Sequence, residues 1–297
     1  MMKSAKTRIQ YASKYAGSAN YWKNAIGMNE GLVRLKVLDT KRKQQEELLA
    51  YGEQSGNGEF RKAYESIKDI VAKRFDAVYH QQAILEALMQ GTEFSKVPET
   101  DKLHKALLAK DREAVKASLE QLKQDFEKFF NKDYDPEVDR KVSKEMLSLY
   151  ARLVPAAQHI SIFGSIQQKF GGSTSDFVDA CFDKSIFSSK EAFAKFVKRP
   201  SAAALEKDWM ILYAKSVKEG YKATSEAMKA ETEAYNKAHK TWVAGMLELK
   251  QKKGIPVYPD ANSTLRLTYG KIGSYEPQDG KEYLYYTTLE GVMEKED

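Results

Sequence analysis

The sequence from Ser18 to Gly31 reads SANYWKNAIGMNEG and lies inside a long first helix, predicted from Thr7 to about Gly52. This stretch is a poor helix former, because its three asparagines compete for backbone hydrogen bonds and its glycines weaken the helix further. Asn20 and Asn24 are four residues apart and share one helix face. Their amide oxygens are able to accept hydrogen bonds from a cationic group such as a peptide amino terminus. The alternative interpretation is a helix crossing, in which small residues let a neighbouring helix approach.

The composition is typical of a soluble, helix-rich protein of one large or two modest domains. Of 297 residues, 42% are hydrophobic and 30% are charged, and only 7 are prolines. The net charge of +6 comes from 48 basic and 42 acidic residues that are interspersed along the chain. A nucleic-acid-binding protein would gather its basic residues on one face, so no nucleic-acid partner is predicted.

Cys181 is the only cysteine, which excludes an internal disulfide and a cysteine-rich metal site. Its apolar neighbours, Phe177 to Phe182, predict a buried and unreactive thiol. No metal or other cofactor is predicted. No apolar run approaches the roughly 20 residues that a membrane span needs, and the start of the chain lacks the apolar segment of a signal peptide. These features alone predict a cytoplasmic protein.

The hydrophobic periodicity predicts a mainly α fold, an elongated antiparallel helical bundle with a short C-terminal β-hairpin. The last long helix is predicted from about Ser201 to Lys252. At about 1.5 Å per residue, this helix and the first one would each approach 70 Å if unbroken.

The pattern changes at Gly254. Residues 263–270 alternate as a strand does, and residues 281–288 are predicted to pair with them across a turn that contains Gly280. A lone pair of strands is marginally stable in water. The hairpin therefore either packs on the helices or belongs to a sheet whose other strands are absent, and the second interpretation is favoured.

Three segments resemble one known family. They are Tyr15–Gly31 (YAGSANYWKNAIGMNEG), Tyr258–Gly270 (YPDANSTLRLTYG) and Thr287–Glu296 (TTLEGVMEKE). Each is similar to part of the bacterial dipeptidyl-peptidase 7 and 11 family, serine exopeptidases with a chymotrypsin-like double barrel and an inserted α-helical domain. The resemblance implies that residues 1–254 form the α-helical cap domain and that residues 255–297 begin the second barrel. It also implies that Asn20, or alternatively Asn24, binds the free amino group of the substrate.

The function implied by the resemblance is that of a serine dipeptidyl aminopeptidase, which releases dipeptides from peptide N-termini. In that family the catalytic histidine and aspartate precede the helical insertion, and the serine follows the region where this chain ends. No catalytic residue is therefore expected here, and the chain alone is expected to be inactive. The resemblance further implies a peptide partner, homodimers of the full-length protein and a location in the periplasm or at the cell surface. The missing signal peptide then suggests a fragment of a larger protein.

Two further patterns have structural explanations. The four histidines, His80, His104, His159 and His239, lie on helical patterns and are expected to be structural. The sequence from Gly171 to Asp176 lacks the Gly-Lys-Ser/Thr ending of a phosphate loop and is interpreted as a linker. The competing hypothesis for the whole chain is a self-contained helical scaffold, or protein-binding domain, without catalysis.

Overall fold

A computed structural model describes residues 4–131, 133–257, 263, 265 and 267–295. The chain divides into two compact units, Met1–Leu249 and Lys250–Asp297. Within the described residues there are thirteen α-helices and one two-stranded antiparallel sheet. The predicted mainly α fold with a short C-terminal hairpin is confirmed.

Most of the first twelve helices follow one another closely along the chain, and the hairpin lies between the twelfth and the thirteenth. The helices are α1 Ala5–Arg34, α2 Val37–Gln54, α3 Glu59–Ala83, α4 Asp101–Ala109, α5 Arg112–Phe129, α6 Pro136–Leu153, α7 Ile162–Phe170, α8 Thr174–Lys184, α9 Lys190–Lys198, α10 Ala202–Glu206, α11 Trp209–Lys229, α12 Thr232–Lys252 and α13 Leu289–Met293. A π-helical segment, Ile84–Gln90, extends α3, and short 3-10 turns occupy Phe94–Lys96 and Ala156–Gln158.

Side-chain caps fix several helix starts. Asp111 accepts hydrogen bonds from the first-turn amides of α5. Asp135 does the same for α6, whose first residue is Pro136. Ser189 caps α9. Each cap satisfies backbone N–H groups that have no partner inside the helix, and a proline at the first position loses no hydrogen bond there.

One large apolar core holds α3 to α11 together in the first unit. At its centre the rings of Phe94 and Tyr213 stack with centroids 4.1 Å apart, and those of Phe126 and Phe193 stack at 3.9 Å. Further fully buried side chains of this core are Ile84, Leu88, Leu147, Tyr150, Phe177, Phe187 and Met210. Burying this many large apolar side chains supplies the main driving force for folding of the unit.

A second, smaller cluster joins α2, α3 and α12 around Leu48, Phe60 and Leu249. Gly245 makes it possible, because a Cβ at this position would lie 2.7 Å from the Phe60 ring. The ring therefore packs directly against the backbone of α12.

The two long helices are shorter than predicted. The first is interrupted at Leu35 and Lys36, where Lys36 adopts a left-handed conformation with φ of 48°. The last is split at Lys207 and Asp208, where Asp208 caps α11, and again between α11 and α12. Helical propensity continues through these points, but a left-handed residue or a capping carboxylate ends a helix even in a favourable sequence. The expected lengths near 70 Å were wrong.

The first strand of the hairpin was placed incorrectly, whereas the second strand and the turn at Gly280 lie where the sequence predicted them. Strand β1, Tyr275–Gln278, pairs with β2, Lys281–Tyr283, across a turn in which Gly280 has φ of 71°. The described residues between 263 and 270 form no strand, and Leu265 and Leu267 are almost fully exposed. Alternation alone does not make a strand, because its backbone groups also need a hydrogen-bonding partner. The remainder of the predicted first strand, together with residues 258–262, lies outside the described residues.

Candidate functional site

Helix α1 carries the predicted binding residues and is attached to the first unit near its N-terminus. Tyr11 is its one buried residue among those described. The Tyr11 hydroxyl accepts a 2.9 Å hydrogen bond from the backbone N–H of Asp135, and Lys14 forms a 3.1 Å ion pair with Glu93. The attachment of α1 is therefore largely polar and joins it to the start of α6 and to the segment after the π-helical turn.

A buried carboxylate lies at the centre of this attachment. Asp139 on α6 accepts hydrogen bonds at Oδ1 from the backbone N–H of Glu93 (2.8 Å) and the hydroxyl of Ser143 (3.2 Å), and at Oδ2 from the hydroxyl of Tyr134 (3.3 Å). Burial raises the pKa of Asp139 to about 6, and the charge of Glu93 adds to this, although the hydrogen bonds oppose it. Burial also raises the pKa of Tyr134, and the Asp139 charge adds to it.

Beyond this attachment, residues 18–34 of α1 are exposed, apart from the half-buried Ala19 and Gly31. The Asn20 amide has no hydrogen-bond partner among the described residues. Asn24 donates one weak hydrogen bond to the sulfur of Met28, at 3.4 Å, which leaves its amide oxygen without a partner in the described structure. Both amides are thus available to a ligand.

Glycines extend the asparagine face of α1. At about 100° per residue, Gly17, Gly27 and Gly31 fall on the same side of the helix as Asn20 and Asn24. A Cβ added at any of these three glycines would meet nothing within 4 Å. The described structure therefore contains no close helix crossing at these glycines, and their helix-weakening effect is not explained by packing within the described chain.

Large apolar side chains on α1 and just after it are also exposed. Tyr21 is 77% exposed, Trp22 68% and Val33 74%, and Met28 and Leu35 are similarly open to solvent. At about 100° per residue, Tyr21 and Met28 fall on one side of α1, and Trp22 and Val33 fall on another. Single exposed apolar residues are common, but several on one helix favour contact with another molecule or another part of the protein.

The four histidines have structural contacts in the described chain. His80 hydrogen-bonds the hydroxyl of Tyr150 (2.9 Å), His104 pairs with Glu206 (2.7 Å), His159 donates to the carbonyl of Val154 (2.9 Å) and His239 stacks on Tyr235. None of them hydrogen-bonds a serine within the described residues, as a chymotrypsin-like triad would require. Among the same residues, no three His, Cys, Asp or Glu side chains converge as a metal site would need.

Two further expectations concern Cys181 and the membrane. The Cys181 side chain is fully buried, as predicted, and burial raises the pKa of its thiol well above the ordinary value. No helix in the described part of the chain is long and apolar enough to cross a membrane.

Comparison with known proteins identifies the family. The model of the family described as Peptidase S46 matches residues 1–297. The chain belongs to the peptidase S46 family. Among curated relatives of this S46 chain, the dipeptidyl-peptidase 7 of Phocaeicola vulgatus is 43% identical over the whole chain, and the Asp/Glu-specific dipeptidyl-peptidase of Porphyromonas gingivalis is 35% identical. The S46 chain spans 41% of the length of each of these two relatives.

Comparison with solved structures leads to the same family. The crystal structure of Porphyromonas endodontalis DPP11 superimposes on the S46 chain with a TM-score of 0.87 at 36% identity. The match includes 100% of the S46 chain and 42% of the DPP11 chain. The complex of the same protein with the dipeptide Arg-Glu gives a TM-score of 0.84 and covers 99% of the S46 chain. The predicted resemblance to dipeptidyl peptidases is confirmed.

Sequence reasoning missed the polar attachment of α1. The Asp135 cap was visible in the Asp-Pro pair that opens α6. One signal could also have identified Asp139: it is an acidic first-turn residue on the apolar side of α6, with Ser143 one turn later.

Proposed function

We propose that this chain forms the helical cap of a serine dipeptidyl aminopeptidase, which releases dipeptides from the N-termini of peptides. The exposed Asn20 amide, which has no partner in the described structure, is the observation that carries the proposal. Asn20 holds the substrate's free amino group, with Asn24 one turn away as the alternative. The relatives named as dipeptidyl peptidases, and the dipeptide complex of a structural neighbour, support this reaction class.

The chemistry favours neutral amide oxygens for this task. An ammonium group that leaves water needs hydrogen-bond acceptors, because an unpaired buried charge is costly. Amide oxygens accept these hydrogen bonds without adding a carboxylate that would also attract basic side chains. A cap that binds the amino group at a fixed distance from the nucleophile selects dipeptide release over other cleavages.

The proposal assigns the catalytic triad to regions of the full-length protein outside this chain, and the chain alone is inactive. It also assigns the full-length protein to the periplasm or cell surface, as a homodimer. Cell fractionation checks the assigned location, and sedimentation of the purified full-length protein checks the assigned homodimer. A pure sample of the 297-residue chain that hydrolysed dipeptidyl substrates would overturn the assignment of the triad.

The deciding experiment is steady-state kinetics of the intact enzyme with the variants Asn20→Ala, Asn24→Ala and Asn29→Ala. Asn29 is exposed on the same helix but lies on the opposite side from Asn20, which makes it a matched control. A hydrogen bond to a charged group contributes about 1.5–3 kcal/mol. We therefore expect Asn20→Ala to lower kcat/KM for a substrate with a free amino terminus by about ten- to a hundredfold.

The scaffold hypothesis predicts a different outcome. If α1 only binds another protein, Asn20→Ala and Asn24→Ala behave like Asn29→Ala in every kinetic measurement. A substrate with an acetylated amino terminus provides the second comparison, because it lacks the charge that the amides are proposed to bind. Its residual cleavage should respond equally to all three variants.

A further inference from the structure

A cavity of about 520 Å³ opens between α3, the segment before α7, and α11. Asp76 and His80 line it from α3, His159 from the loop, and Glu219, Gly220 and Ala223 from α11. This volume lies within the range of small-molecule sites in proteins. No residue of α1 lines the cavity.

The base of the cavity is rigid because its polar groups are paired with one another. The hydroxyl of Tyr150 accepts a hydrogen bond from the backbone N–H of Ile160 at 3.2 Å and lies 2.9 Å from Nε2 of His80. The hydroxyl of Ser216 accepts from the backbone N–H of Ile162 at 2.9 Å. Ile160 packs directly against Gly220, where a Cβ could not be accommodated. These contacts hold the cavity open between the two helices.

The two imidazoles offer different hydrogen-bonding groups to the cavity. Because the Tyr150 hydroxyl already accepts from Ile160, its own proton is best donated to Nε2 of His80, so that ring is neutral and its other nitrogen, Nδ1, is an N–H donor. Burial lowers the pKa of His80, and the nearby His159 lowers it further. His159 donates from Nε2 to a backbone carbonyl, so in the neutral ring Nδ1 is an acceptor.

The exposed part of the lining carries two unpaired carboxylates. Asp76 and Glu219 form no ion pair and no hydrogen bond with any other described residue. No lysine or arginine is among the described residues that line the cavity, although the chain as a whole has a net charge of +6. Ala77, Ala223 and Ala227 supply small apolar surface beside these charges.

We propose that this cavity binds a small organic cation, an alkylammonium group whose charge faces Asp76 and Glu219 and whose methylene chain packs on the alanine and glycine surface. The complementarity is one of charge and shape together. Two carboxylates in a lining that contains no lysine or arginine attract a cation, and the small residues leave room for a linear aliphatic chain. The same chemistry is found in a free diamine and in a lysine side chain of a peptide.

Isothermal titration calorimetry of the intact protein tests the proposal. The probes are 1,5-diaminopentane, its neutral counterpart 1,5-pentanediol, and Nα-acetyl-lysine amide. We expect the diamine to bind and the diol not to bind, because only the diamine is charged. Binding of the acetylated lysine amide as well would identify a peptide side chain as an acceptable source of the cation, whereas its failure to bind would restrict the site to free amines.

Variants separate this cavity from other amine-binding sites. Asp76→Asn and Glu219→Gln should each weaken diamine binding by about tenfold or more, and Ala223→Leu should abolish it by filling the cavity while retaining helix propensity. Glu233→Gln removes one exposed carboxylate of α12 that does not line the cavity, and should leave binding unchanged. Asn20→Ala should also leave it unchanged, so the outcome does not depend on the proposed role of α1.

Three outcomes overturn the proposal. They are equal binding of diamine and diol, retention of diamine binding in the Asp76→Asn/Glu219→Gln double variant, and loss of binding in Asn20→Ala alone. Circular dichroism of each variant establishes that a loss of binding does not come from unfolding.

Discussion

The buried carboxylate of Asp139 should make the stability of the first unit depend on pH in an unusual direction. Its pKa in the folded protein is about 6, above its ordinary value of 3.8. Between these two pH values, the Asp139 carboxyl is therefore protonated in the folded state and ionised in the unfolded state. Stability from this group is fully present below about pH 4 and falls as pH rises towards about 6, the reverse of a salt-bridged carboxylate.

The size of the effect follows from the difference between the two pKa values. The two pKa values differ by about 2 pH units, and each unit corresponds to about 1.4 kcal/mol. The shift therefore contributes roughly 3 kcal/mol to the free energy of unfolding. Asp139→Asn removes the ionisation. The asparagine oxygen is able to accept the hydrogen bonds of the Glu93 amide and the Ser143 hydroxyl, and its NH₂ group is able to donate to the hydroxyl of Tyr134.

Urea unfolding of the chain at a series of pH values, followed by tryptophan fluorescence, measures how the free energy of unfolding depends on pH. The unfolding free energy of Asp139→Asn minus that of the wild type should rise by roughly 3 kcal/mol between pH 4 and pH 7. Asp69→Asn on α3 is the control, since it removes an exposed carboxylate and changes the net charge equally. A difference that stays flat across this range would refute the reasoning, because it would mean that Asp139 is ionised in the fold without a desolvation cost.

The remaining predictions concern two glycines and the cysteine. Gly245→Ala should destabilise the chain by about 1–3 kcal/mol, since the added Cβ would lie 2.7 Å from the Phe60 ring. Gly27→Ala should instead stabilise α1 by up to about 1 kcal/mol, because no atom lies within 4 Å of the added Cβ. Equal effects of the two variants in urea unfolding would contradict both predictions. In the full-length protein, Gly27→Ala should nevertheless lower the proposed dipeptidyl-peptidase turnover if the asparagine face contacts substrate or another domain, and unchanged kinetics would show that this face is free. Cys181 should react with a thiol reagent only at the rate of unfolding, and rapid labelling under native conditions would contradict its burial.

Much of the helical framework was predictable because it depends on local chemistry. Periodic apolar residues, the Asp111 and Asp135 caps and the proline at the start of α6 all act within one or two turns. The break at Lys36 was not predictable in this way, because helical propensity continues through it. The cap at Asp208 acts on the first turn of α11, like those of Asp111 and Asp135, but it was missed because helical propensity continues around it as well.

The position of the hairpin was also only partly predictable from the sequence. The alternating residues before Gly270 have the pattern of a strand, but the paired strands begin at Tyr275, beside the turn at Gly280. Turn chemistry determined the pairing more strongly than alternation did. The exposed asparagines of α1 were found from sequence because their cost to the helix is a local property, whereas the cavity beside His80 and His159 joins residues more than seventy positions apart.

The way in which α1 is attached has a mechanical consequence for the proposed reaction. Asn20 lies nine residues beyond Tyr11, a distance of about 13 Å along the helix axis. A tilt of only about 5° at the attachment would displace the Asn20 amide by roughly 1 Å, which is enough to lose a well-aligned hydrogen bond. Catalytic efficiency should therefore be sensitive to substitutions at Tyr11, Lys14 and Asp139, none of which needs to touch the peptide.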